Sequence, residues 1–117
     1  MAELEDERPA GDEGGPAAEA AIRVRSDPSG VPVIAVSGEL DLSNADRLEA
    51  AVDSAAAGHP ERLVFEMKDL RFMDSAGIAV LLGAASKVSA VSLRDPSEAV
   101  RRVVELTGLD EVLTIEP

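Results

Sequence analysis

At 117 residues the chain has room for one domain with its own core, and the absence of cysteine removes disulfide frameworks, thiolate metal sites and cysteine nucleophiles. A net charge of -12 argues against a nucleic-acid partner, which needs basic patches to neutralise phosphates, and Phe65 and Phe72, the only aromatic residues, make no stacking platform. No apolar run is long enough to span a membrane and the acidic N-terminus is unlike a signal peptide, so a cytoplasmic protein with no membrane insertion is expected.

In chain order, Met1 to Glu19 hold seven acidic side chains against Arg8 alone, interspersed with Pro9, Gly11, Gly14, Gly15 and Pro16. Such a segment lacks the apolar content to offset ordering entropy, so residues 1–19 read as a disordered, solubilising tail and residues 20–117 as the domain. Alternation from Ile22 to Arg25, the turn sequence Asp27-Pro28-Ser29-Gly30 and the run Val33 to Ser37 predict a β-hairpin. After Gly38-Glu39-Leu40-Asp41, Ser43 with Asp46 resembles a capping box. It opens a helix that places Leu48, Ala51, Val52 and Ala55 on one face and ends at Gly58 and Pro60.

Leu63-Val64-Phe65 predicts a buried strand, Ser75 to about Ser86 an apolar helix, and Val91 to Leu93 another strand. Asp95-Pro96-Ser97-Glu98 then has the order of a helix start, with Asp at N-cap, Pro at N1 and Glu at N3; Val100, Val103 and Val104 form the buried stripe and Gly108 the stop. A short strand, Val112 to Ile115, completes the order β-β-α-β-α-β-α-β. This predicts an α/β domain with a mixed sheet, an N-terminal hairpin at its edge and about three main helices. The loops Gly38 to Asp41, Asp69 to Ser75 and Arg94 to Asp95 are expected to meet at one rim.

The candidate chemistry lies in Phe72-Met73-Asp74-Ser75-Ala76-Gly77-Ile78, where a hydroxyl sits beside a carboxylate at the start of a helix. Read as the N-cap, Ser75 accepts from free helix N–H groups, and the same groups and dipole favour a phosphate, which makes it a candidate phosphorylation site. Gly77 then falls at N2, either leaving room for an approaching group or allowing tight packing. A hydrolase elbow needs Gly two positions before the serine, where Met73 stands, and the single histidine, His59, falls in the turn after the first helix. Phosphate-loop, dinucleotide and calcium-loop patterns are absent, so no catalytic residue, metal or cofactor is expected.

Three segments in order, Gly-Glu-Leu-Asp at 38–41, Asp-Ser-Ala-Gly at 74–77 and Val-Arg-Arg-Val-Val-Glu-Leu-Thr-Gly-Leu-Asp at 100–110, resemble those of STAS-domain anti-sigma factor antagonists. The resemblance covers about Ala21 to Ile115. It implies a bacterial partner switch in transcription regulation, without enzymatic activity. The unmodified protein binds an anti-sigma factor with serine kinase activity and frees a sigma factor; phosphorylation at Ser75 ends the capture, and a metal-dependent serine phosphatase restores it. It also implies a partner-binding surface made of Asp41, Asp74, Ser75, Ala76, Gly77 and Ile78. The segment from Ser75 to Arg94 is shorter than is usual in that family, which implies a shortened helix or a tight turn. The alternative carried by the same fold is a STAS subunit of an ABC-type lipid transport complex, docked on its ATPase.

Overall fold

The computed structural model describes residues 19–116, so the expected tail, apart from Glu19, lies outside the described residues. Within them the chain forms β1 (Ala20–Ser26), β2 (Pro32–Leu40), α1 (Ala45–Ala56), β3 (Arg62–Glu66), β4 (Leu70–Met73), α2 (Ser75–Lys87), β5 (Ala90–Arg94), α3 (Glu98–Thr107), a 3-10 turn over Leu109–Glu111 and β6 (Thr114–Glu116). The mixed α/β order is the expected one, with β4 added.

The hairpin is antiparallel from Ala20 opposite Gly38 to Ser26 opposite Pro32. Its turn closes through Gly30 N–H donating to Asp27 O at 2.9 Å. The Asp27 Oδ1 accepts in addition from the Ser29 hydroxyl and from the N–H groups of Ser29 and Val31, at 2.8 to 3.0 Å. The Ser29 hydroxyl first, and then Val31, hold the Asp27 carboxyl below its ordinary range.

β2 organises the sheet. On the side away from β1 it pairs in parallel with β3, Val33 to Ala35 matching Val64 to Glu66, and farther along with β4, Leu40 matching Met73. β3 and β4 thus lie end to end along one strand, separated by a turn in which Leu70 N–H donates to Met67 O at 3.2 Å. β5 and β6 extend the sheet in parallel beyond β3. β4 escapes a sequence reading because its buried residues are Leu70 and Met73, with Arg71 and Phe72 exposed between them, which is not a two-residue alternation.

One sheet face presents Ile34, Val36, Leu63, Phe65 and Leu93 to a cluster completed by Leu48 and Val52 of α1, Leu81 and Ala84 of α2, and Val100 and Val104 of α3. Near-complete burial of these apolar side chains is the main favourable term in folding, at about 1.5–3 kcal/mol for each Val, Leu, Ile or Phe. The alternate residues, including Arg23, Arg25, Val33, Ala35, Glu66 and Arg94, point to the opposite face by strand register.

Two expected helix starts move. α1 begins at Ala45, and Asn44 at its N-cap makes no side-chain cap bond. Ser43, expected to cap it, donates its hydroxyl to Asp41 Oδ1 at 2.6 Å, because a carboxylate two residues upstream is the stronger acceptor. α3 is capped by Ser97 rather than Asp95: Ser97 Oγ accepts from Val100 N–H at 3.2 Å and donates to Leu70 O at 2.6 Å. Asp95 instead takes a left-handed φ of 50° while its N–H donates to Glu116 O, so the chain turns back toward β4 before the helix begins. Gly108, in the left-handed region, ends α3 as expected.

The final strand starts at Thr114 rather than Val112, because the 3-10 turn carries Val112 and Leu113 N–H groups to Leu109 O. The short link after α2 is a tight turn: the helix keeps 13 residues, and only Val88 and Ser89 precede β5. His59 is an exposed turn residue.

Arg25 holds Glu66 through two bonds, Nη1 to Oε1 at 3.3 Å and Nη2 to Oε2 at 3.2 Å, and these hydrogen bonds are the main cause of the lowered Glu66 pKa. A carboxyl lowered in the folded state lends stability above its unfolded pKa, and that stability is lost as pH falls through the folded value. In Arg25→Ala the Glu66 pKa, followed by carboxyl-carbon NMR, is expected to rise toward the ordinary glutamate range, and the acid side of the stability profile to flatten. An unchanged pKa would exclude Arg25 as the cause.

Candidate functional site

The rim is assembled where β2 and β4 stop together. Leu40 and Met73 are the last paired residues, Asp41 and Asp74 follow them, and Asp74 N–H donates to Leu40 O at 3.1 Å. The two expected loops therefore meet, and Gly38 N–H reaching Asp69 O at 3.1 Å joins them from behind. Arg94 and Asp95 belong to a different step of the rim. Arg94 O accepts from Met67 N–H, before the turn that separates β3 from β4, so this third loop joins Met67 and Glu116.

On the β2 side, Asp41 is half-buried and its Oδ1 accepts from Ser43 N–H at 2.8 Å and the Ser43 hydroxyl. Asn44 is buried beneath this loop. Its Oδ1 accepts from Asp41 N–H at 3.0 Å and its Nδ2 donates to Glu39 O at 2.9 Å, so it fixes the backbone that carries Asp41. The sequence pattern gave no sign of this role for Asn44, which looks like an ordinary loop amide until the chain closes over it.

On the β4 side the expected roles are exchanged. Asp74, in extended conformation, is the N-cap of α2 and its Oδ1 accepts from Ala76 N–H at 2.8 Å; Ser75 is N1 and Gly77 is N3. Aspartate ranks with the best caps, and its charge suits the positive end of the helix, so it takes the position from the serine beside it. Ser75 is exposed, and its hydroxyl has no hydrogen-bond partner among the described residues.

Gly77 faces inward. A Cβ there would lie 2.5 Å from Met73 Cγ and 2.8 Å from Leu40 Cδ2, so its lack of a side chain seats the helix on the strand ends and does not open space beside Ser75. Ile78 is partly buried and packs against the core cluster. Ala76 borders a shallow groove between the first turns of α1 and α2, with Leu42, Ala45, Asp46, Ala79 and Val80 around it. Leu42, 83 % exposed, and Phe72, 51 % exposed, are apolar surface residues near the site that pattern reading missed. The available signal was that Leu42 falls outside the apolar period of the following helix. Asp46 and Glu49 supply the charge of the groove, whose lining holds no basic residue. Among the described residues no group of His, Cys, Asp and Glu is placed to hold a metal, and no helix is long and apolar enough to cross a membrane.

The STAS domain family matches residues 22–117 of this chain. The anti-sigma F factor antagonist of Paenibacillus polymyxa is 31% identical over 91 residues, covering 74% of this chain and 78% of that protein. RsfB of Mycobacterium tuberculosis, an anti-sigma-F factor antagonist, is 29% identical over 93 residues, 77% of this chain and 76% of RsfB. A crystal structure of an anti-sigma factor antagonist from Mycobacterium paratuberculosis superposes with a TM-score of 0.78 at 31% identity, covering 85% of this chain and 86% of that one. This chain belongs to the STAS-domain family of anti-sigma factor antagonists, a family of regulatory binding proteins.

Two substitutions separate the contributions at the head of α2. Asp74→Ala is expected to lower stability in urea by about 0.5–2 kcal/mol, the usual worth of a cap, and to speed hydrogen exchange at Ala76. Gly77→Ala is expected to cost about 1–3 kcal/mol through overpacking against Met73 and Leu40. Unchanged exchange at Ala76 in Asp74→Ala would remove the cap assignment.

Proposed function

We propose that the unmodified protein captures an anti-sigma factor with serine kinase activity on the rim centred on Ser75, and so frees a sigma factor in the bacterial cytoplasm. Phosphorylation of Ser75 by that kinase ends the capture, and a serine phosphatase restores it. The observation that carries this reading is the exposed, unengaged Ser75 hydroxyl at the head of α2, beside a groove with apolar walls and an acidic lip. Ser75 is a substrate residue in this scheme, and the protein performs no catalysis of its own.

The geometry also supports a mechanism for release. The carboxylate of Asp74 already holds Ala76 N–H, so the helix terminus is not a vacant seat for a phosphate. A phosphoserine brings about -1.5 to -2 charges. Those charges would stand beside Asp74 and the acidic groove, in a lining without a basic residue to receive them. Placed against a partner surface fitted to a neutral hydroxyl, such a group must be desolvated and opposed by like charge, which costs several kcal/mol in a docked interface. Asp41 and Asp74 then serve as fixed features of the docking surface, while Ala76 and Ile78 contribute contact area and Gly77 acts through packing.

The experiment is affinity capture from the native host's lysate with wild type, Ser75→Ala and Ser75→Glu as baits, reading partners and the Ser75 phosphate by mass spectrometry. An anti-sigma kinase held by wild type and Ser75→Ala, and weakened at least about tenfold by Ser75→Glu, is the expected result, equivalent to about 1.4 kcal/mol or more. The same partner held equally by all three baits would overturn the switch; a transport ATPase held by all three would assign the chain to a transport complex. Leu42→Ala is expected to leave stability unchanged, since its side chain is in solvent, and to weaken the anti-sigma complex by about 1.5–3 kcal/mol in calorimetry. Unaltered affinity would place Leu42 outside the interface.

A further inference from the structure

Among the described residues, β1 is a free edge of the sheet. It ends the strand order, runs for seven residues without a proline, and has no strand on its outer side, whereas the opposite edge strand, β6, has three residues. The hairpin ladder fixes which backbone groups face outward. Glu39 N–H donates to Glu19 O at 2.8 Å and Asp27 N–H to Val31 O at 2.9 Å, so in this register the odd-numbered residues of β1 are the ones bonded to β2. The N–H and C=O groups of Ala20, Ile22, Val24 and Ser26 therefore point away from the sheet, as a row of donors and acceptors ready for another strand. By the same alternation Ala20, Ile22 and Val24 lie toward the helix-packed face, where Ile22 packs on the core cluster and Val24 is 54 % exposed. Glu19, Ala21, Arg23 and Arg25 lie toward the other face.

We propose that this edge pairs with the β1 edge of a second copy of the chain, antiparallel, about a twofold axis at Ile22. The charges select the register. An axis at Arg23 sets that arginine against its own copy and an axis at Val24 sets Arg23 against Arg25, and like charges directly opposite disfavour pairing. An axis at Ala21 carries Val24 beyond the first residue of the second copy's strand and leaves it uncovered. The axis at Ile22 places Ile22 on Ile22 and Val24 on Ala20 on the apolar side, and Arg23 on Ala21 and Arg25 on Glu19 on the other. Glu19 is exposed; Arg25 is half exposed and commits only two of its five N–H donors to Glu66, so it can donate to a second carboxylate. Three outward-facing pairs exchange two backbone hydrogen bonds each, about six in all. Such a contact is small and belongs with the weak, reversible associations that bury under about 1,200 Å2. Because the two strands run in opposite directions and each Ser75 rim lies beyond the Glu19 end of its hairpin, the rims fall at opposite ends of the joined sheet and both stay open. The inference does not rest on the reading of Ser75.

The test is sedimentation equilibrium on the full chain from about 10 μM to about 1 mM, the range of weak association, with amide hydrogen exchange followed by NMR at both limits. The expected result is a dimer that gains population with concentration and slows exchange at Ala20, Ile22 and Val24, while Ala21, Arg23 and Arg25, already bonded to β2, are unchanged. Val24→Pro removes an outward donor that the single chain does not use, so it is expected to abolish the dimer and keep the fold. Glu19→Arg and Arg25→Glu are each expected to weaken self-association roughly tenfold or more, and mixing the two variants to restore it, since each chain then offers the charge the other lacks. The proline and charge variants act independently, so either set decides the matter if the other fails to fold. A chain that stays monomeric at the upper concentration, or a dimer that slows exchange at residues Ala76 to Val80 in place of β1, would overturn the proposal. So would a dimer that survives in folded Val24→Pro, or folded charge variants that do not associate on mixing.

Discussion

The pairing of β4 with the end of β2 is the constraint on which the site depends. Without it, the residues after Asp69 would be a surface loop and Ser75 would have no fixed relation to Asp41. With it, Leu40 and Met73 end as partners, the next residue on each strand is an aspartate, and Asp74 N–H donates to Leu40 O as the last rung. α2 must then start on top of that rung. Gly77 permits the close seat, since any Cβ would enter the space of Met73 and Leu40. The position of Ser75 is therefore set by core packing and a strand ladder, which gives the precision that a recognition site on a free loop lacks.

That constraint also explains which parts of the molecule were legible in the sequence. The hairpin, the three helices and strands β3 and β5 are written in local patterns: alternation, a turn with its own side-chain bonds, and helical stripes such as Val100 and Val104. Helix starts were displaced because each junction contains more than one residue able to cap. Asp41, Ser43 and Asn44 compete at α1, Asp74 and Ser75 at α2, and Asp95 and Ser97 at α3. Tertiary partners decide among them. Asn44 is held by Glu39 O five residues upstream, whereas Asp74 N–H is held by Leu40 O and Ser97 by Leu70 O across long stretches of sequence, and those two bonds are invisible in a local window.

The candidate site was legible as chemistry and not as geometry. The juxtaposition of Asp74 and Ser75 could be read directly, but which of them faces the helix could not. Their exchange alters the physical role of both. A capping serine would have its oxygen engaged by the backbone, whereas the serine at N1 leaves its hydroxyl to solvent. Gly77 was readable as a position needing a small residue, but only the packing shows that it faces Met73 and Leu40. Leu42 could be seen to fall outside the apolar period of the following helix, but whether it and Phe72 are buried or exposed is decided by the rest of the fold.

The magnitudes at the head of α2 decide how a covalent switch at Ser75 can act. The cap contributes about 0.5–2 kcal/mol, against a net stability of about 5–15 kcal/mol for a domain of this kind. α2 is anchored independently by Leu81 and Ala84, both without exposed surface, so loss of the entire cap would fray its first turn and leave the helix in place. Added charge at Ser75 consequently has little leverage on the fold. It has much more on a docked surface, where a dianion beside the Asp74 carboxylate cannot remain hydrated. The switch proposed at Ser75 would therefore change what the surface accepts while the sheet, the cap and the groove keep their arrangement.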